Sequence, residues 1–260
     1  MPVVLPAGLS DTIRRARVIG VIPSRYQSTR LPGKALAEIA GLPMVEHVYR
    51  RASQAALVDA VVVATDDQRI ADVVDRFGGT AVMTGQQHAT GTDRLAEVAA
   101  AVSSEIVVNI QGDEPTIVPE AIDAAVRLLL ERPDDQMSTL RRRLDDLLEL
   151  GNPSIVKLVT DAAGYGLYFT RSAVPFVRPG HPQPPFWRHV GLYAYRRAFL
   201  MELASLAPTP LELAEGLEQL RAIEHGFRII TAETTSDAIG VDTPEDLDRV
   251  RQLFMAAART

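Results

Sequence analysis

The chain has 260 residues, 47% of them hydrophobic, no cysteine and a formal charge of −6. That length buries a substantial core as one sizeable domain, or one domain with a lobe grown out of it. The missing thiols exclude disulfides, thiolate metal sites and cysteine nucleophiles, and the acidic balance argues against nucleic acid as a partner while leaving room for a local cationic pocket.

The first seventeen residues, MPVVLPAGLSDTIRRAR, lack the apolar run of a signal peptide. No window approaches the roughly 18 apolar residues of a membrane span, so the expectation is a cytoplasmic protein without membrane insertion. ARVIGVIP predicts the first strand, PMVEHVYRRASQAAL a helix with Val45, Val48, Tyr49 and Ala52 on one face, and AVVVATD a second buried strand. DQRIADVVDRFGG reads as a helix closed by glycine and TAVMT as a short strand; TDRLAEVAAAV, EIVVNIQGDEP and VPEAIDAAVRLLLERP repeat the cycle. Alternation of this kind predicts an α/β fold with a largely parallel sheet and right-handed crossovers.

From about residue 136 the pattern changes. SIVKLVTD and YGLYFTR around a short turn predict an antiparallel hairpin, and VRPGHPQPPF a proline-rich loop. These features suggest a lobe over about 136–210 inserted into a domain of 17–260. LELAEGLEQLRAIEHG predicts a helix with Leu213, Leu217, Leu220 and Ile223 on one face, and FRIITAET a strand. In VDTPEDL, Thr243 is the expected N-cap, Pro244 the first helical residue and Asp246 the capping-box acid.

Ligands of open α/β sheets bind beyond the carboxyl ends of the strands. PSRYQSTRLPGK concentrates Arg25, Arg30 and Lys34 at one such end, where an anion relieves their repulsion and guanidinium forks suit polyphosphate. It is not a Walker loop, since the glycine spacing differs and Ala35 stands where a magnesium-binding hydroxyl belongs. The plain alternative is a solvated basic turn. VVNIQGDEP places Asp113 and Glu114 after a buried strand, where carboxylates meet a hard cation such as Mg²⁺ or form an ordinary turn. Asp242 in GVDTPED is a turn residue, or shares a metal with Asp113 if the two strand ends are neighbours. In HATGTDRLAEV, His88, Gly91 and Thr92 lead into a helix that reads a base or is simply capped by Thr92. FWRHVGLYAY sets Arg188 and His189 among aromatic residues, a grip for a carboxylate or a plain rim, and Glu218 and Gln219 flank the apolar stripe of their helix.

Together these segments carry a resemblance. VIPSRYQSTRLPGKALAEIAGLPMVEHVYRRA, VVVATDD, HATGTDRLAEV, VVNIQGDEP, NPSIVKLV, GYGLYFTRSAVPF, RHVGLYAYRRAFL, LEQLRAIEHG and GVDTPEDLDRVR occur in the order found in 3-deoxy-manno-octulosonate (Kdo) cytidylyltransferases, which the chain resembles from about Arg17 to Ala258. The resemblance implies a nucleotide-diphosphosugar-transferase-like, Rossmann-like α/β fold with a mixed, mostly parallel sheet flanked by helices and a β-rich dimerisation lobe. It also implies a homodimer, Mg²⁺, and the conversion of CTP and Kdo to CMP-Kdo and pyrophosphate for lipopolysaccharide biosynthesis. By that resemblance Arg25, Ser28, Arg30 and Lys34 wrap the triphosphate, His88, Gly91 and Thr92 recognise the nucleotide, and Gln111, Asp113 and Asp242 position the α-phosphate and metal. Arg188, His189, Tyr193, Glu218 and Gln219 match the sugar-acid side. Residues 1–16 extend beyond the usual start of the family, an extension of unassigned role that reads equally as a disordered or a dimer-contacting tail, and the proline-rich loop at 178–186 is shorter than is usual in the family. Another acidic acceptor (an amino-Kdo, a sialic-acid-like sugar or a phosphonate) and a nucleotide-binding module without turnover are the competing readings.

Overall fold

A computed structural model describes residues 10–27, 30–88 and 90–257. Ser28 lies outside them. The chain forms two compact units, Met1–Asp123 with Ser236–Thr260, and Ala124–Thr235.

In the first unit a short helix, α1 (Asp11–Arg15), precedes the central strand β1 (Val18–Ser24). A two-residue hairpin, β2 (Glu38–Ile39) and β3 (Leu42–Pro43), leads into α2 (Met44–Ala52), then β4 (Ala60–Thr65), α3 (Gln68–Arg76), β5 (Ala81–Met83), α4 (Gly91–Ala101) and β6 (Ile106–Asn109). Strands β1, β4, β5 and β6 are parallel in the order β6-β1-β4-β5, with Val21 opposite Val62 on one side and Asn109 on the other. Their near-continuous apolar runs suit parallel strands covered on both faces: Ile19, Val21, Ile22, Val62, Val63, Val107 and Val108 are all fully buried. The chain winds away from β1 through β4 and β5, then returns to its other side with β6. A crevice opens between the carboxyl ends of β1 and β6, the switch point where ligands of such sheets bind.

The helix α5 (Pro119–Glu131) carries the chain into the second unit. There β7 (Met137–Arg143), β8 (Lys157–Thr160), β9 (Gly166–Thr170) and β10 (Trp187–Arg196) are followed by α6 (Arg197–Ser205), α7 (Pro210–Glu215), α8 (Gln219–Glu224) and β11 (Ile229–Glu233). Strands β8 and β9 form the expected antiparallel hairpin, β10 pairs antiparallel with both β8 and β7, and β11 is parallel to β7. The last element, α9 (Pro244–Ala257), returns to the first unit, where Leu247 and Val250 pack with Ile39, Met44 and Val241.

One expected helix is two. LELAEGLEQLRAIEHG breaks at Gly216, whose φ of 62° ends α7 in a left-handed cap before α8 begins. The break rotates the two halves out of one stripe: Leu220 is fully buried while Leu213 is 71% exposed. Among the described residues, no helix is long and apolar enough to cross a membrane.

Candidate active site

The loop after β1 folds back on itself. Gly33, with φ 70°, donates its N–H to the Tyr26 carbonyl at 3.0 Å, and the Tyr26 ring lies 3.3 Å from the Arg69 guanidinium. Arg69 is itself held by Asp67 at 2.7 Å. A left-handed glycine is required at this turn because any side chain there would be strained. The turn delivers Lys34 onto a single 3₁₀ turn, Lys34–Leu36.

Lys34 Nζ lies 2.6 Å from Asp113 Oδ2 and 3.1 Å from Asp242 Oδ1, while Arg30 reaches the same Asp242 oxygen at 3.1 Å. Burial works against the ammonium, but the charge of Asp113 and hydrogen bonds to both carboxylates outweigh it and hold Lys34 above the usual lysine pKa. It is a cation at neutral pH, a donor and not a base. The carboxylates meet because Val241 donates its backbone N–H to the Asp113 carbonyl at 2.9 Å, and Ile239 donates to Thr116 Oγ1 at 2.9 Å. Beyond Asp242 the expected cap is present: Thr243 and Asp246 exchange hydrogen bonds at 3.0 and 3.2 Å.

These groups line a cavity of about 390 Å³ with Ser24, Arg25, Gly91, Gln111 and Gly112. Gly112 is there for space. A Cβ on it would sit 2.7 Å from the Pro23 carbonyl oxygen and 3.0 Å from Ser24 Oγ. Neither Ser24 nor Gly112 stood out in the sequence, because a serine and a glycine in loops signal turns before they signal close approach.

Arg25 is half-buried and donates through Nη2 to the carbonyls of His88 at 2.9 Å and Thr90 at 3.1 Å. The cationic loop and the 88–92 segment are therefore joined through one guanidinium. His88 Nε2 hydrogen bonds Glu97, which also accepts from the Gly85 N–H at 2.9 Å. The helix that follows is capped by Thr90 and not by Thr92: Thr90 and Asp93 form a reciprocal capping box at 3.1 and 3.2 Å. Thr90 has the extended backbone and the acid three residues on that a cap requires, whereas Thr92 is buried within the first turn. Arg94, fully buried, pairs with Asp66 at 2.9 Å and reaches Thr84, bracing the same segment from beneath. Its pairing depends on α4 facing the end of β4, which spacing alone did not reveal.

In the second unit β10 carries Arg188, His189 and Tyr193. The His189 ring lies 5.1 Å from that of Phe169 and 5.3 Å from that of Tyr193, and its Nε2 is 2.9 Å from Thr139 Oγ1. Burial pushes its pKa down to about 3, so at neutral pH it is an uncharged hydrogen-bonding ring. Glu218, exposed, precedes α8; Gln219 begins it, only 4% exposed, with an amide nitrogen that has no hydrogen-bond partner among the described residues. A buried unpaired amide is costly unless a ligand completes it.

The carboxylate pair suits magnesium. Its donors are hard oxygens converging on one cation, and Mg²⁺ is commonly held by one or two carboxylates together with substrate phosphates. Among the described residues there is no cluster of three or more His, Cys, Asp or Glu side chains that would form an all-protein cage.

A crevice of this kind at the switch point of a mixed α/β sheet, lined by cations and a carboxylate pair, defines the nucleotidyltransferase class. The sequence model of the family described as Cytidylyltransferase matches residues 19–229. A 3-deoxy-manno-octulosonate cytidylyltransferase of Geobacter sulfurreducens is 54% identical over 90% of this chain and 97% of its own length, and one of Solibacter usitatus is 51% identical over 93% and 96%. The chain belongs to the 3-deoxy-manno-octulosonate cytidylyltransferase family. Among solved structures, a CMP:2-keto-3-deoxy-manno-octonic acid synthetase complexed with CTP superposes with a TM-score of 0.89 at 43% identity, covering 93% of this chain and 99% of that one. A cytidylyltransferase from Leptospira borgpetersenii shares the fold at a TM-score of 0.63 and 17% identity, covering 92% and 87%.

Proposed function

We propose that this chain transfers CMP from CTP to the anomeric hydroxyl of Kdo, giving CMP-Kdo and pyrophosphate. The observation that carries the reading is the placement of Lys34 between Asp113 and Asp242, within a cavity that Arg25 and Arg30 also line. The relatives named for this reaction, matched along nearly their whole length, supply the base and the sugar.

In this reading Arg25, Ser28, Arg30 and Lys34 grip the triphosphate, and His88, Gly91 and Thr92 the nucleoside end. Lys34 and Arg30 lie close enough to Asp242 to turn from carboxylate to phosphate when CTP enters. Gln111 offers its amide at the α-phosphate. The anomeric oxygen attacks the α-phosphorus in line as the bond to pyrophosphate breaks, and the cations hold the charge that gathers on the departing oxygens. Asp113 and Asp242 would hold Mg²⁺, and the chemistry it would supply there is the neutralisation of charge on phosphate oxygens. Arg188 and the neutral His189 meet the sugar acid with Tyr193, Glu218 and Gln219, and the unpaired Gln219 amide supports a hydroxyl or carboxylate partner there.

The reading also includes a cytoplasmic homodimer built partly through the 136–210 lobe. Phe176 and Leu148, 87% and 89% exposed, support an apolar contact there. Sedimentation of the purified protein checks the dimer.

An acceptor panel tests the activity. CTP-dependent pyrophosphate release with Kdo, and not with a sialic acid or a phosphonate, is the expected result. Release with another acidic acceptor alone overturns the sugar, and no release with any acceptor overturns catalysis.

A further inference from the structure

Lys157, the first residue of β8, is fully buried. An ammonium has three N–H donors and no acceptor. All three go to backbone carbonyls: Asn152 at 2.8 Å, Ile155 at 2.6 Å and Arg171 at 2.5 Å. No carboxylate is among those partners. Burial, and then the neighbouring Arg171 guanidinium, push its pKa below the ordinary lysine value. Buried cations held this way are poor sources of stability, and an apolar side chain of similar volume often serves as well or better. What Lys157 supplies is geometry.

The carbonyls it gathers belong to two segments, the turn before β8 and the residue just after β9. Each leads to one half of the acceptor side. From the turn, Val156 accepts the backbone N–H of His189 at 2.8 Å, and Lys157 itself stands opposite Arg188 in the antiparallel register. From the other segment, Arg171 donates through Nε to the Glu215 carbonyl at 2.8 Å and through Nη1 to the Pro153 carbonyl at 2.9 Å. The Glu215 carboxylate accepts from Thr170 Oγ1 at 2.5 Å and from the Arg171 N–H at 2.9 Å. Gly216 and Leu217 then lead directly into Glu218 and Gln219.

We propose that Lys157 is a positioning residue for the acceptor: by clamping the 152–155 turn to Arg171 it sets the spacing between Arg188–His189 and Glu218–Gln219. The inference rests on the reading of those four residues as the sugar-acid side. It gives Lys157, in the NPSIVKLV segment, a task that its sequence context does not announce. The clamp acts on the acceptor and not on CTP, because every group it holds is in the second unit, while Lys34, Asp113 and Asp242 are in the first.

Lys157→Met tests this, since it keeps the volume and removes the three donors. Displacement of binding groups by a fraction of an ångström is expected to raise the acceptor KM about tenfold or more, while the KM for CTP stays within about twofold. A merely structural role would move both constants together, and that result, or no change in either, overturns the proposal. If Lys157→Met does not fold, Glu215→Gln weakens the other arm of the same clamp and is judged by the same split. The comparison uses whichever acidic acceptor the wild-type protein turns over. Failure with Kdo but success with another acceptor therefore falls on the proposed sugar, whereas an unsplit KM response falls on Lys157 alone.

Discussion

Val241 donates its backbone N–H to the carbonyl of Asp113 at 2.9 Å, and this one bond brings the carboxylates of Asp113 and Asp242 onto a single lysine. Asp113→Ala is expected to lower turnover by about 10²-fold or more, since it removes charge stabilisation used during the reaction. Its thermal midpoint should stay close to wild type, because the side chain is only partly buried and Lys34 keeps Asp242 as a partner. Pyrophosphate release and a melting curve measure the two effects, and normal turnover in magnesium would remove Asp113 from the metal.

Chelation should abolish turnover in wild type, and added Mg²⁺ should restore it. Asp242→Asn should raise the magnesium concentration needed for half-maximal rate by about tenfold, because one hard anionic donor is lost while the amide keeps its shape. A magnesium titration of both proteins decides this; superimposable curves would show that Asp242 serves only Lys34 and Arg30.

Gly112→Ala pushes a methyl group to 2.7 Å from the Pro23 carbonyl oxygen, a backbone atom that cannot swing aside as the end of a flexible side chain could. The expected loss is about 1–3 kcal/mol of stability together with a raised KM for CTP, because the floor of the cavity moves. Denaturant unfolding and CTP kinetics check both halves.

Thr90→Ala removes the capping box at the start of α4. The expected cost is about 1 kcal/mol by thermal or denaturant unfolding. Thr92→Ala should leave the cap intact, so a larger thermal shift from Thr92 than from Thr90 would be driven by packing and not by capping.

His189 has a distinct acid signature. Its pKa in the fold, about 3, lies below the ordinary 6.5, so the unfolded chain takes up the proton first. Stability from this residue is complete above about pH 6.5 and is lost as the pH falls from there toward 3. NMR should show the ring neutral from pH 5 to 8, with no inflection, and a titration near pH 6.5 would refute the burial argument. Glu215 works in the same direction at lower pH: hydrogen bonds from Thr170 and then from the Arg171 N–H hold it below the usual carboxylate range, and its contribution fades as that lower value is reached.

Much of the first unit was legible. The runs VIGVIPS, AVVVAT and IVVN are apolar enough that only buried strands accommodate them, and the glycine after DQRIADVVDRF ends its helix as turn chemistry requires. MSTLRRR was harder, because its strand β7 buries two hydroxyls. Ser138 and Thr139 are both fully buried, satisfied by the carbonyls of Ala125 at 2.7 Å and Leu192 at 2.8 Å, so polarity there hides a core strand. The helix broken at Gly216 reads as continuous in sequence because a 3.6-residue stripe continues through a glycine even when its backbone turns left-handed.

By itself, the sequence determined what depends on neighbours along the chain: strand and helix periods, the Thr243 cap, and the crowding of Arg25, Arg30 and Lys34 that calls for an anion. Only the tertiary structure decided which carboxylates that crowd would meet, that Arg25 binds the carbonyls of His88 and Thr90, and that Lys157 closes on three carbonyls. Periodicity and capping are short-range properties set by backbone geometry. A hydrogen bond between distant segments depends on register and strand order, and those are fixed only when the whole sheet has assembled.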